Sequence, residues 1–289
     1  MEENRMKIAV LSGKGGTGKT FVSVNLAAIE ESMYIDCDVE EPNGHLFFKP
    51  KNFEIRDVSV KVPMVNEKLC NGCRKCVDFC KFNAMAKVGN RAIIFDEICH
   101  SCGACLMLCP KGALWEKEKK IGEVQKGESY GNKVITGTLN TGEPSGVPII
   151  KELLKEEVNY EKDIFIDCPP GSACIVMESI KEADYCLLVA EPTLFGVHNL
   201  AMVHELVTRF NKPHGVVLNK CINYENIAKS FCIENGLNIL CEIPFNTTLG
   251  ELNSNGLIAV RESDKYRNIF ERLLKNIKED ITHETVVSP

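Results

Sequence analysis

The chain has 289 residues, 44% hydrophobic and 26% charged, with a net charge of −6. This is a globular composition long enough for roughly two domains of ~150 residues, and its acidity argues against nucleic acid as the main partner, because a phosphate backbone calls for clustered Lys and Arg. No apolar run reaches the ~18 residues of a membrane span and Met1–Arg5 is too polar for a secretory leader, so the fifteen cysteines are expected to stay reduced, in the cytoplasm.

Lys7-Ile8-Ala9-Val10-Leu11 reads as a buried parallel strand ending in a glycine loop. Gly18 to Glu31 reads as a helix, with Val22, Leu26 and Ile29 at helical spacing. Met33 to Asp38 is a second strand that ends in acids. From 64 to 116 cysteine, glycine and charge replace the helical period, in two halves that repeat each other. Ala92–Phe95 is a short extended segment joining the halves, and Ala113-Leu114-Trp115 closes the second. Lys117-Glu118-Lys119-Lys120 is mixed in sign and reads as a solvated face or linker. Gly122 to Leu139 predicts a hairpin, and Gly146-Val147-Pro148 opens a helix to about Glu157.

Strands are predicted at Ile164–Asp167, Tyr185–Val189, Gly215–Leu218 and Ile239–Ile243, with helices near 196–211, 225–235 and 264–280. Strands alternating with helices imply an α/β fold, a doubly wound and mostly parallel sheet covered on both faces. Ile269, Phe270, Leu273, Leu274 and Ile277 form one stripe of the last helix, expected to pack on the sheet rather than lie on a membrane.

Gly13-Lys14-Gly15-Gly16-Thr17-Gly18-Lys19-Thr20-Phe21 follows a strand and opens a helix, the context in which a glycine loop cradles phosphates with its backbone N–H groups. Lys19 is expected to reach the β- and γ-phosphates and the Thr20 hydroxyl to ligate Mg²⁺. Asp36, Asp38 and Asp167 stand at or just beyond strand ends, the rim where doubly wound sheets bind ligands.

Eight cysteines form two runs, Cys70-x2-Cys73-x2-Cys76-x3-Cys80 and Cys99-x2-Cys102-x2-Cys105-x3-Cys109-Pro110. This is the thiolate spacing of a bacterial two-cluster ferredoxin. The doubled x2-x2-x3 spacing favours iron–sulfur over zinc, which also uses Cys-x2-Cys pairs. In the two-cluster arrangement the fourth cysteine of each run serves the other cluster. That assigns Cys70, Cys73, Cys76 and Cys109 to one [4Fe–4S], and Cys80, Cys99, Cys102 and Cys105 to the other. Lys81 stands where the pattern has proline after the first run. Arg74, Lys75, His100 and Lys111 are either tuning charges or solvated surface.

With its second lysine, Lys14, the glycine loop resembles the deviant phosphate loop of the MinD, ParA, Mrp and nitrogenase iron protein group. The resemblance extends along the chain. Asp36-Cys37-Asp38 resembles the first switch, whose second aspartate orients the attacking water. Asp167-Cys168-Pro169-Pro170-Gly171 resembles the second switch, whose aspartate holds Mg²⁺ through water. Leu218-Asn219-Lys220 matches the strand end that reads adenine, and Ile243-Pro244-Phe245 the loop over the base.

The resemblance implies an Mg²⁺-dependent ATPase with Lys14, Lys19, Asp38 and Asp167 as catalytic residues. Mg²⁺ would be held at Thr20, Asp38 and Asp167. ATP would be bound by residues 13–21 with Asn219, Lys220, Pro244 and Phe245. It also implies an ATP-dependent homodimer in which Lys14 contacts the partner's nucleotide. Cys174, seven residues after Asp167, is either an interface thiol resembling the iron protein's bridging ligand or an ordinary buried cysteine. The expected organisation is an ATPase domain of residues 1–63 and 117–289, interrupted by a 2[4Fe–4S] ferredoxin domain at 64–116. Three functions follow: ATP-gated electron transfer to a partner metalloprotein, assembly or carriage of iron–sulfur clusters, or a non-catalytic dimeric scaffold with structural clusters.

Overall fold

The computed structural model describes residues 5–156, 160–222 and 226–287. Strand β1 (Lys7–Leu11) is buried along its length beyond Lys7, as a central parallel strand with both faces covered must be. Helix α1 (Lys19–Ala27) stops short of the expected Glu31. The side chains of Ser32 and Asn132 donate to the Ala27 carbonyl at 2.8 and 2.7 Å and take over a helix-end acceptor. Strand β2 (Met33–Asp36) also ends early. The Asp36 carboxylate accepts from the backbone N–H groups of Asp38, Asn43 and Gly44, and so folds the following loop back on the strand.

A short helix α2 (Gly44–Phe48) leads into β3 (Lys51–Val65), a long strand the sequence pattern did not predict. Then come α3 (Lys75–Phe79), the hairpin β4 (Met85–Val88) and β5 (Arg91–Ile94), and α4 (Ala104–Leu108). The predicted hairpin is β6 (Leu114–Ser129) with β7 (Asn132–Leu139), its first strand beginning eight residues before Gly122. The remaining chain alternates: α5 (Val147–Lys155), β8 (Ile164–Asp167), α6 (Cys174–Ile180), β9 (Tyr185–Ala190), α7 (Leu194–Arg209), β10 (His214–Cys221), α8 (Ile227–Glu234) and β11 (Ile239–Pro244). Three helices close it, α9 (Thr247–Ser254), α10 (Ala259–Glu262) and α11 (Asp264–Val287). The predicted ends at Glu157 and residue 225 lie outside the described residues.

One nine-stranded sheet runs β11-β10-β9-β1-β8-β2-β7-β6-β3, parallel from β11 to β7 and antiparallel beyond. Each face carries its own apolar core. On one, Phe270, Leu273, Leu274 and Ile277 of α11 cover Ile8, Phe165 and Tyr185, so the predicted stripe does pack on the sheet. Among the described residues no helix is long and apolar enough to cross a membrane.

The register places the antiparallel edge. Gly122 pairs with Leu139, the carboxyl end of β7, while β3 and β6 stay paired from Lys51↔Glu128 to Val65↔Leu114. The segments 59–65 and 114–120 therefore overhang the sheet as a two-stranded arm about 23 Å long at ~3.3 Å per residue. It leaves on the side of the parallel strands' carboxyl ends. Pro63 is tolerated in it because β3 is the edge strand. Lys117–Lys120 is thus not a linker but part of this strand, with Glu118 and Lys120 on a solvated face.

The arm carries the cysteine-rich unit, 66–113, whose halves repeat at an offset of 29 residues. Helix α3 maps onto α4. Left-handed residues recur in step: Gly72 and Ser101 (φ 65° and 54°), Arg74 and Gly103 (68° and 71°), Asn83 and Gly112 (54° and 55°). The bond from Phe95 N–H to Ala84 O is mirrored by that from Asn66 N–H to Ala113 O. This is the pseudo-two-fold expected from the sequence repeat.

Candidate nucleotide site and cysteine cavities

The loop between β1 and α1 walls a cavity of about 720 Å³ together with Asp38, Pro170, Asn219, Lys220, Pro244, Phe245 and the face of α9 around Leu249 and Asn253. Gly18 takes φ 92° at the helix start, and a Cβ there would lie 2.2 Å from Asn219 Nδ2, so only glycine fits. Asn219 Nδ2 donates to Thr17 O at 2.7 Å, and Lys220 Nζ to Gly16 O at 2.7 Å. The strand end at Asn219 thereby fixes the loop from behind. Among the described residues the Thr17 hydroxyl is buried without a partner, an orphan donor that a phosphate oxygen would satisfy.

Lys19 is buried and gives its ammonium to Asp167 Oδ1 at 2.6 Å, with Asp38 Oδ2 at 4.0 Å. Burial works to lower its pKa, but the charge and hydrogen bond of Asp167 outweigh this and hold it above the ordinary lysine value. The other Asp167 oxygen accepts from the fully buried Tyr34 hydroxyl at 2.8 Å. Asp36 and Asp167 stand opposite each other on adjacent strands. Burial and then the Asp167 charge push Asp36 up to about 7. Burial similarly lifts Asp38 to about 6, against the pull of Lys19. Three carboxylates thus share one buried ammonium, an arrangement that a divalent cation beside Asp38 and Asp167 would relieve. Asp167 itself lies behind Lys19 rather than on the cavity wall.

Lys14 pairs with Glu191 Oε2 at 2.8 Å, and Lys220 takes Glu191 Oε1 at 2.6 Å. Glu191, directly after β9, was not singled out from the sequence. The signal was available, since it is a third acid at a parallel strand's carboxyl end. Phe21 lines the cavity but is 8% exposed and packs edge-on against Phe270, whereas Phe245 is 61% exposed at the mouth. Cys174 is exposed at the first turn of α6, which overturns the reading of it as a buried thiol.

In the arm's unit, one cavity is lined by Cys70, Cys73, Cys76 and Cys109, and a second by Cys80, Cys99, Cys102 and Cys105. Among the described residues no three His, Cys, Asp or Glu side chains are placed to hold a single ion, as a zinc site would need. Each set instead surrounds a space. The left-handed residues at 72, 74, 101 and 103 make backbone concavities of the kind that hold anions, iron–sulfur groups included. Among the described residues the Ser101 hydroxyl is buried without a partner, and Ala113 N–H donates to Cys109 Sγ at 3.2 Å. The all-thiol donor set and its spacing fit an iron–sulfur cluster in each cavity. Burial raises the Cys105 thiol to about 11 and lifts those of Cys76 and Cys99, so without a metal these groups stay protonated.

Residues 8–260 match the CobQ/CobB/MinD/ParA nucleotide binding domain. The chain belongs to this family. An uncharacterized protein of Methanocaldococcus jannaschii is 30% identical over 282 residues, covering 96% of this chain and 98% of the relative. An iron–sulfur cluster carrier protein of the same organism is 22% identical over 97% of this chain and 87% of its own length. The cell division ATPase MinD of Pyrococcus furiosus superposes with a TM-score of 0.58 at 17% identity, covering 95% of this chain and 98% of that one, a likeness of fold. This MinD/ParA-type chain thus carries a nucleotide-binding domain, and ATPase activity is a property of the family.

Proposed function

We propose that this MinD/ParA-type ATPase uses its nucleotide state to gate electron transfer through two [4Fe–4S] clusters, one in each cysteine cavity. The ferredoxin-like unit is the inserted segment at about 64–116. Mg-ATP binds in the glycine-loop cavity, held by Lys19, Thr20, Asp38 and Asp167, with Asn219, Lys220, Pro244 and Phe245 around the base. ATP binding draws two copies together, and Lys14 leaves Glu191 for the partner's phosphates. The bound clusters supply one-electron chemistry.

The observation that carries this reading is a run of contacts from the switch residues to the second cysteine cavity. Leu139 N–H donates to Val39 O at 2.8 Å, next to Asp38. Gly146 is wedged so tightly that a Cβ there would lie 2.4 Å from Val39 Cγ2 and 2.9 Å from Ile175 Cδ1, beyond the second switch. Between them, Glu143 pairs with Lys119 of the arm at 3.0 Å, and Lys119 donates to Asp96 O, three residues before Cys99, at 3.1 Å. These contacts form a path from the neighbours of both switches to the arm's root and the loop before Cys99. Contiguity is not coupling. The test is anaerobic reconstitution with iron and sulfide, then EPR of the reduced protein with and without Mg-ATP. A changed cluster signal supports gating, and an unchanged one contradicts it.

The second reading is cluster carriage, favoured by the relative named as an iron–sulfur cluster carrier and by the exposed Cys174. ATP-dependent loss of iron from this protein to an apo-acceptor, without redox turnover, would select it.

A further inference from the structure

The two cysteine cavities differ in their rims. That of Cys70, Cys73, Cys76 and Cys109 is bordered by Arg74, Lys75, Lys87 and Lys111. That of Cys80, Cys99, Cys102 and Cys105 has Lys81 with an apolar and aromatic border, in which Phe82 stacks on His100 at 3.9 Å. All four cations of the first rim are exposed. Arg74 pairs with Asp78 on the same helical turn, but Lys75, Lys87 and Lys111 have no ion-pair partner among the described residues. Lys75 and Lys111 flank cysteines, while Lys87 comes from a strand, so three separate segments bring charge to one place.

The charge is also segregated along the chain. Residues 66–113 hold seven Lys and Arg against four Asp and Glu, while the rest holds 27 against 36. An isolated lysine on an acidic protein is ordinary solubility chemistry. Three unpaired lysines converging on the mouth of one thiolate cavity, in the positively biased part of an acidic chain, form a local field opposite to that of the whole molecule.

Resting on the reading of these cavities as cluster sites, the geometry points to the Arg74/Lys75/Lys87/Lys111 rim as the docking face for an acidic one-electron carrier protein. One electron passes between the carrier and the nearer cluster, one being oxidised as the other is reduced; no bond forms and no proton moves. Complementary charge at the contact would speed encounter and set orientation more than it would tighten the complex.

The sign of the salt effect tests this, because molecule and rim predict opposite results. Two net-acidic proteins repel, so their electron exchange should quicken as salt screens them. Docking at a basic rim makes it slow instead. The probe is an acidic plant-type [2Fe–2S] ferredoxin, mixed anaerobically with the reconstituted protein in stopped flow. Its binding to the oxidised protein is measured in parallel by calorimetry. We expect the exchange rate to fall about tenfold from low to high salt, a range usual for steered association. The K75E/K87E/K111E variant, which leaves every cysteine in place, should lose about tenfold at low salt, reverse the slope and lose the calorimetric signal. A rate that rises with salt in the unaltered protein, or a triple variant indistinguishable from it, overturns the docking face while leaving the clusters standing. Failure of the unaltered protein to take up iron overturns both readings together.

Discussion

Lys19 is the residue on which the nucleotide site turns. It is the ammonium among Asp36, Asp38 and Asp167, and its bond to Asp167 is short and buried. Replacing it by Met should abolish ATP hydrolysis, by about a hundredfold or more. It should also destabilise the fold by about 3–5 kcal/mol, because breaking a buried pair strands its partner's charge. Steady-state ATPase assays beside urea unfolding separate the two effects. Asp36 gives the pH dependence. Its pKa in the fold, about 7, lies above the ordinary 3.8, so folding takes up a proton between those values. Its contribution to stability is full below about pH 4, falls as pH rises towards 7 and is flat above. The Asp36→Asn variant should therefore gain on the parent as pH rises through that window, read from urea midpoints without nucleotide. A difference independent of pH would refute this. The glycine loop was legible because its residues are consecutive. Tyr34, 133 residues from the Asp167 it touches, was not, because strand adjacency brings them together.

At the scale of elements, the parallel strands announced themselves as apolar runs, and their loops as glycine and acid. The arm did not. Strand β3 is exposed from Lys51 to Asp57, where it edges the sheet, and alternates only from Val58 to Val62, so no apolar run or sustained period marks it. Lys117-Glu118-Lys119-Lys120 looked like a linker for the same reason, yet successive residues of a strand point to opposite sides. The side of Lys119 holds Glu143 and the Asp96 carbonyl. Replacing Glu143 by Gln removes one end of that strap and touches neither cysteine cavity nor glycine loop. ATP turnover and iron content should be unchanged, while the Mg-ATP-induced change in the EPR signal falls to half or less. A full-sized change in the variant would rule this strap out as the connection.

At the scale of the molecule, the cysteine unit leaves the sheet on the side where the parallel strands end, the side of the nucleotide cavity. The cysteine-bearing arm and the glycine loop therefore stand at the same rim of the sheet. Lys14 and Glu191 bear on assembly. The chain should sediment as a monomer without nucleotide and as a dimer with Mg-ATP. Lys14→Ala should remain monomeric in both, and a dimer formed by that variant would contradict the role given to Lys14. The doubly wound fold, the cysteine repeat and the order of motifs could be read from residue types and spacing. The direction of the arm could not, since it depends on the pairing of Gly122 with Leu139. If nucleotide and electrons are coupled across this rim, linkage makes the effect reciprocal. The most direct measurement is ATP affinity in the oxidised and in the reduced protein, beside the cluster potentials with and without Mg-ATP. The two shifts should agree at about 59 mV for each tenfold change in affinity, as a one-electron couple requires. Equal affinity in both redox states, with potentials indifferent to Mg-ATP, would contradict the coupling.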